Sequence, residues 1–108
     1  MKRGEVWWVN LDPSIGTEIK KTRPGVIISN DSANKFLNRV QIIPLTSNVE
    51  NCYPSEAIIK LNGKDSKAMA DQITTADKKR LKDKIGSLSS KDMMAIEKAV
   101  KIQLGLPL

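Results

Sequence analysis

Histidine is absent from this 108-residue chain, and cysteine occurs once, at Cys52. The first absence removes the side chain that most often moves protons near neutral pH. The second rules out an intramolecular disulfide and leaves no Cys/His spacing that suits a metal, so neither a metal nor any other cofactor is expected. Long hydrophobic runs are missing too. None reaches the ~18 to 20 residues that span a membrane, and Met1-Lys2-Arg3 leads into a charged strand rather than the apolar core of a signal peptide. A cytoplasmic protein without a membrane partner is the expectation. At 108 residues one core can form but not two, which predicts a single domain over 1–108.

What the chain has in excess is positive charge. Eighteen Lys and Arg face twelve Asp and Glu, a net charge of +6. That balance favours an acidic partner, such as nucleic acid or an acidic protein segment.

Glu5-Val6-Trp7-Trp8-Val9-Asn10 is β-branched and aromatic and stops at Asp12-Pro13, which predicts a first strand. Its two tryptophans point to opposite faces, so only one can be core; packing at a subunit interface suits the other better than stacking on a base. Residues 12 to 22 read as a turn-rich loop ending in the charged stretch Glu18 to Lys21. Pro24 keeps Arg23 extended at the mouth of a second strand over Val26 to Ser29. Asn30 to Asn34 offers caps for a short helical turn, and a third strand runs from Arg39 to Leu45. Pro44 argues for a strand end or edge there. A fourth strand, Glu56 to Lys60, and a fifth, Lys67 to Ala70, flank the Asn62-Gly63 turn signal. Ile73 to Ala76 and Arg80 to Ile85 read as two short strands. The connections are too short for helical crossovers, so the sheet should be largely antiparallel.

After Leu88 the period changes. Ser89 and Asp92 resemble a capping box, Leu88 with Met93 a hydrophobic staple, and Met93, Ile96, Val100 and Leu104 fall on one face of a helix ended by Gly105 and Pro107. The expected fold class is mainly β with α: a small antiparallel β-barrel or curled sheet carrying a C-terminal helix.

Arg23 and Thr46 are the candidate chemistry. Each sits at the end of a predicted strand, and each can handle a phosphate: a guanidinium through its planar fork of donors, a hydroxyl as donor and acceptor at once. A surface arginine pinning the loop and a threonine satisfying its own backbone are the structural alternatives. Gln72 could read a base edge or bond a turn. The run Lys78 to Lys84 could follow a polyanion or form a solvated hairpin. Cys52 lacks a neighbour that would activate a thiolate.

The order of the blocks is more specific than any one of them: Arg3-Gly4-Glu5-Val6-Trp7, Asp12-Pro13, Gly16 with Glu18, Arg23-Pro24, Pro44-Leu45-Thr46-Ser47 and Ala70-Asp71-Gln72. Over residues 2 to 104 this resembles the MazF/PemK family of toxin endoribonucleases from type II toxin-antitoxin systems. The resemblance implies an SH3-like barrel that forms a homodimer and cuts single-stranded RNA without a metal. The ribose 2′-OH would attack the adjacent phosphate, leaving a 2′,3′-cyclic phosphate and a 5′-OH. It also implies a catalytic set of Arg23 and Thr46, joined by Glu18 at the matching family position as acceptor of the 2′-OH proton when its loop folds over the site. Asp71, Gln72, Ser47, Lys20 and Lys21 would bind substrate, and an acidic cognate antitoxin would be the protein partner. Two other readings keep the fold: a toxin that poisons DNA gyrase without cutting RNA, and a non-catalytic RNA-binding module.

Overall fold

The sheet is built around one long strand that changes partner halfway along. The structure, a computed structural model, describes residues 1–13, 15–18 and 21–108. In chain order these form β1 (Glu5–Asn10), β2 (Thr22–Ile27), α1 (Asp31–Phe36), β3 (Arg39–Thr46), β4 (Glu56–Leu61), β5 (Lys64–Met69), β6 (Thr74–Asp77), β7 (Leu81–Ser87) and α2 (Ser90–Leu104), with 3₁₀ turns at Ala70–Gln72 and Lys78–Arg80. Among the described residues every strand pairing is antiparallel, as the short connections require. The spatial order is β4-β5-β3-β2-β1-β7, with β6 added on β3.

One edge of β3 pairs with β2; the other pairs with β6 over Arg39 to Ile42 and with β5 at Leu45 and Thr46. The fork curls the sheet so that its single domain buries two hydrophobic clusters rather than the one core expected from length, one on each face of the sheet. Val6, Val26, Ile43, Leu45, Ile59 and Ala68 face α2 in one, and Val9, Ile27, Val40, Ile42, Ala76 and Leu81 fill the other. Trp7 packs on the second, while Trp8 stays 41 % exposed.

Pro44 lies inside this central strand and is buried, not at the end or edge its chemistry suggests. The peptide geometry explains how it is tolerated. Gln41 donates its N–H to Ser29 Oγ (3.1 Å) and accepts from Ile28 N–H (2.9 Å), so odd-numbered residues of β3 turn their peptide groups toward β2 and even-numbered ones away. Pro44 therefore presents its missing N–H to the gap where β6 has ended and β5 has not begun.

Asn62 and Gly63 take φ of 50° and 81°, the left-handed pair that a two-residue hairpin turn needs. The Asn62 side chain then leaves its own hairpin and donates from Nδ2 to Ile85 O on β7 at 3.3 Å. The two end strands of the sheet, β4 and β7, are thus bridged by a side chain rather than by a ladder, and the barrel is half closed. A Cβ on Gly86 would stand 2.9 Å from Asn62 Oδ1, so a larger residue there would push the Asn62 side chain aside.

Several boundaries differ from the sequence reading. β2 begins at Thr22, so Arg23 lies within the strand opposite Val9 rather than at its mouth. β5 begins at Lys64, and Ala70 belongs to the turn that follows. In α2 the Ser89 cap accepts from Asp92 N–H (3.1 Å), and Met93, Ile96 and Ala99 are buried. Leu104, placed on the apolar face by its spacing, is 53 % exposed because the helix has by then run past the sheet.

Glu5 anchors the start of β1. Burial alone would raise its carboxyl, but the Lys2 backbone N–H (2.9 Å), the Trp7 indole N–H (3.0 Å) and the Lys84 ammonium (3.1 Å) outweigh it and bring the pKa down from 4.5 to about 2. A carboxylate depressed on folding contributes stability that is complete above the unfolded value and is lost as pH falls toward the folded one. Urea unfolding of the wild type is expected to weaken between about pH 4.5 and 2. In Glu5→Gln that part of the acid dependence should be gone; an unchanged profile would remove Glu5 as its source.

Candidate active site

The inward-facing residues at the open end of the half-barrel are Trp8 on β1, Pro24 on β2, Leu45 on β3, Leu61 on β4, Ser66 on β5 and Ile85 on β7. They continue the alternation of the first core, as Trp8 follows Val6, Pro24 precedes Val26 and Leu45 follows Ile43. Among the described residues no strand joins β4 to β7, and the core opens here into a cavity of roughly 700 Å³. Its floor is apolar. Its rim is polar and carries Lys21, Arg23, Thr46, Ser47, Asn62, Lys64 and Asp65.

Of the residues singled out from the sequence, Arg23, Thr46, Ser47 and Lys21 are brought together on this rim. The convergence follows from the fold: β2 and β3 are antiparallel neighbours, registered Gly25 to Pro44, so the start of one and the end of the other meet at one edge. Arg23 is half-buried. Thr46 is held at both ends, its carbonyl accepting from Ser66 Oγ (3.0 Å) and its hydroxyl oxygen from Asn48 N–H (3.2 Å). A hydroxyl used as an acceptor keeps its proton to donate. Three of the rim side chains are cationic, and the acidic one, Asp65, is tied to Lys60 at 2.8 Å, which raises the Lys60 ammonium above its ordinary value.

Glu18, Gln72 and Asp71 lie elsewhere. Glu18 closes its own turn, Oε1 accepting from Ile15 N–H at 2.6 Å, and lines a second, smaller cavity of roughly 180 Å³ with Gln72, Thr74, Thr75 and Arg80. Asp71 is exposed on the same 3₁₀ turn as Gln72. Lys20 lies outside the described residues. The basic run is partly structural: Lys78 donates to Asn34 O at the end of α1, Arg80 holds Asn10 O (3.0 Å) and Asp12 O (2.6 Å), and Lys84 pairs with Glu5. Lys79 and Lys82 remain exposed. Trp8, Lys64 and the Asn62 amide were missed as members of the cavity. Asn62 had a legible signal, but only for the turn; its reach to β7 depends on strand order.

Comparison with known proteins agrees with this geometry. The chain is 36% identical to an endoribonuclease MazF9 of Mycobacterium tuberculosis, with 98% of each chain covered. It is 38% identical to an endoribonuclease MazF of Staphylococcus saprophyticus, over 98% of this chain and 92% of that one. Among solved structures, an endoribonuclease in complex with its cognate antitoxin from a mycobacterial species superposes with a TM-score of 0.84 at 26% identity, covering 100% of this chain and 98% of that one. MazF from Deinococcus radiodurans has the same fold, with a TM-score of 0.87 at 22% identity over 98% of this chain and 97% of that one. The family model for the PemK-like, MazF-like toxins of type II toxin-antitoxin systems matches residues 2–104, and the chain belongs to that family.

Proposed function

We propose that this chain is a toxin that acts as a metal-independent, sequence-specific endoribonuclease on single-stranded RNA. The observation that carries the reading is the meeting of Arg23 and Thr46 on one rim of the half-barrel mouth. In the reaction the ribose 2′-OH attacks the neighbouring phosphorus, the bond to the 5′-oxygen breaks, and a 2′,3′-cyclic phosphate and a 5′-OH result. Charge builds on the non-bridging oxygens as the attack proceeds. Arg23 meets those oxygens with its planar donors, in the way guanidinium forks meet phosphate generally. A permanently charged fork of donors, with no acceptor atom, suits charge stabilisation rather than proton removal. The Thr46 hydroxyl donates to the same phosphate or orients the 2′-OH.

Lys21 and Ser47, on the same rim, bind the flanking strand, and Lys20 belongs with them by position in the sequence. Gln72 reads a base at the second cavity, and Asp71, exposed on the same turn, binds the strand beside it. Glu18, whose carboxylate accepts from Ile15 N–H and lines the second cavity, would accept the 2′-OH proton only if its loop folds over the rim when RNA binds. The chain works as a single domain and a homodimer in the cytoplasm. Its net charge of +6 suits inhibition by an acidic antitoxin segment that folds on binding, and a related toxin has been solved with its cognate antitoxin.

The test is cleavage of an RNA whose cut site has been mapped from its 5′-OH ends, against the same RNA with a single 2′-deoxy ribose at that site. The first is expected to be cut with or without EDTA and to end in a cyclic phosphate. The second is expected to stay intact there. A cut at the deoxy position would refute attack by the 2′-OH.

A further inference from the structure

We infer that the floor of the half-barrel mouth is a nucleobase subsite, with the Trp8 indole as its stacking platform. The inference rests on the ribonuclease reading and adds to it the part of the substrate that this cavity holds. Two irregularities in the β1–β7 pairing, between Val6 and Trp7 and between Trp7 and Val9, leave Trp8 without a partner on β7. Bulges of this kind bend a strand and re-aim a side chain, and they collect beside active sites. Trp8 pairs only with Pro24 on β2, which places it next to Arg23. A 41 % exposed indole at an inward-facing strand position, with Leu61 and Ile85 opposite, is apolar area left open to water where the barrel does not close.

The occupant is specified by what surrounds the floor. Lys21, Arg23 and Lys64 ring it with positive charge, while Ser47 and Asn62 add short polar groups. Apolar floor and cationic rim together match one nucleotide of a single strand, with its base inside and its phosphate at the edge. Proteins that hold single strands use the same two elements, a basic track and an aromatic face. An apolar peptide side chain would fill the floor but would leave the rim charges unmatched. The cavity also ends where Arg23 and Thr46 stand, so a base seated on Trp8 brings the adjoining phosphate to them. Trp8 would thereby act as a positioning residue for the cut.

The subsite can be measured without cleavage. Short single strands carrying 2′-O-methyl ribose throughout cannot supply the attacking hydroxyl, and versions abasic only at the nucleotide beside the mapped cut-site phosphate keep their length, their charge and every other base. The wild type is expected to bind the base-bearing strand about ten- to a hundredfold more tightly than the abasic one. Trp8→Ala should lose most of that preference while still binding the abasic strand as the wild type does, and Trp8→Phe should keep most of it. Equal binding of the two strands by the wild type overturns the inference, as does a preference that survives Trp8→Ala. A change of oligomeric state in Trp8→Ala with the base preference intact would assign Trp8 to a subunit interface. If the wild type cuts no RNA yet shows the Trp8-dependent preference, the catalytic reading fails and the subsite stands.

Discussion

Arg23→Ala is expected to lower kcat on a mapped RNA site by roughly a hundred- to a thousandfold, the usual cost of about 3 to 4 kcal/mol for losing one preorganised donor to a developing oxyanion. Because the charge it meets grows between ground and transition state, most of the loss should fall on kcat and little on KM. Arg23→Lys tests the geometry of the contact. An ammonium keeps the charge but not the planar pair of donors, so it should recover only part of the rate. Thr46→Val removes the hydroxyl at nearly constant volume and should also act on kcat. It leaves the Asn48 N–H without its side-chain acceptor, so thermal denaturation should accompany the kinetics to separate chemistry from a loosened turn. Arg23→Ala combined with Thr46→Val should fall well short of the product of the two single losses if both act on one phosphate. If the two single variants kept wild-type rates, the rim of the mouth would not be the catalytic site. If both still arrested growth while cutting no RNA, a toxin that works by binding protein would account for the phenotype.

How much of this was legible from the sequence depends on how local each device is. The first strand, the Asn62-Gly63 turn and the Asn30 and Ser89 caps follow from residues within four positions of each other, and the structure has them where the sequence places them. Arg23 and Thr46 were legible as neighbours because consecutive antiparallel strands bring known ends together. Glu18 was placed in that group by its matching position in the family resemblance; in this structure its carboxylate accepts from Ile15 N–H and it lines the smaller cavity with Gln72. Trp8 could be known only as one of two faces. That its face opens into the mouth depends on β4 and β7 failing to pair, which no local rule reveals. Pro44 was misplaced for the same reason: its tolerance depends on β3 changing partner beside it. Arg80 reads as one charge in a basic run, yet it fastens the backbone of residues 10 and 12 across the fold.

Lys67 is the charge most at odds with its sequence surroundings, and its removal is expected to have the largest effect on stability. In Lys64-Asp65-Ser66-Lys67 it stands among polar neighbours at the start of the expected fifth strand, yet it is only 8 % exposed. Its Nζ lies 3.4 Å from Glu56 Oε2 and donates to Glu50 O at 3.0 Å, while Glu56 Oε1 accepts from Tyr53 N–H at 3.0 Å. Together these contacts hold the loop between β3 and β4, whose first residue, Ser47, stands on the cavity rim, and Lys67 is itself registered opposite Thr46. Lys67→Met fills much of the same volume but leaves the Glu56 carboxylate without its cation. Breaking one side of such a buried pair costs about 3 to 5 kcal/mol, and the lower end applies because the two side chains keep 10% and 12% exposure. For a domain of this size that corresponds to a fall in Tm of about 12 °C or more. Replacing both partners, Lys67→Met with Glu56→Leu, should return most of the loss, since matched apolar groups avoid the desolvation of two charges. The double variant should still show reduced turnover, because Glu50 O and Tyr53 N–H have lost their side-chain partners and the loop bearing Ser47 is less constrained. Equal stability of wild type and Lys67→Met in chemical denaturation would show that water reaches this pair freely and that the loop is held by its backbone alone.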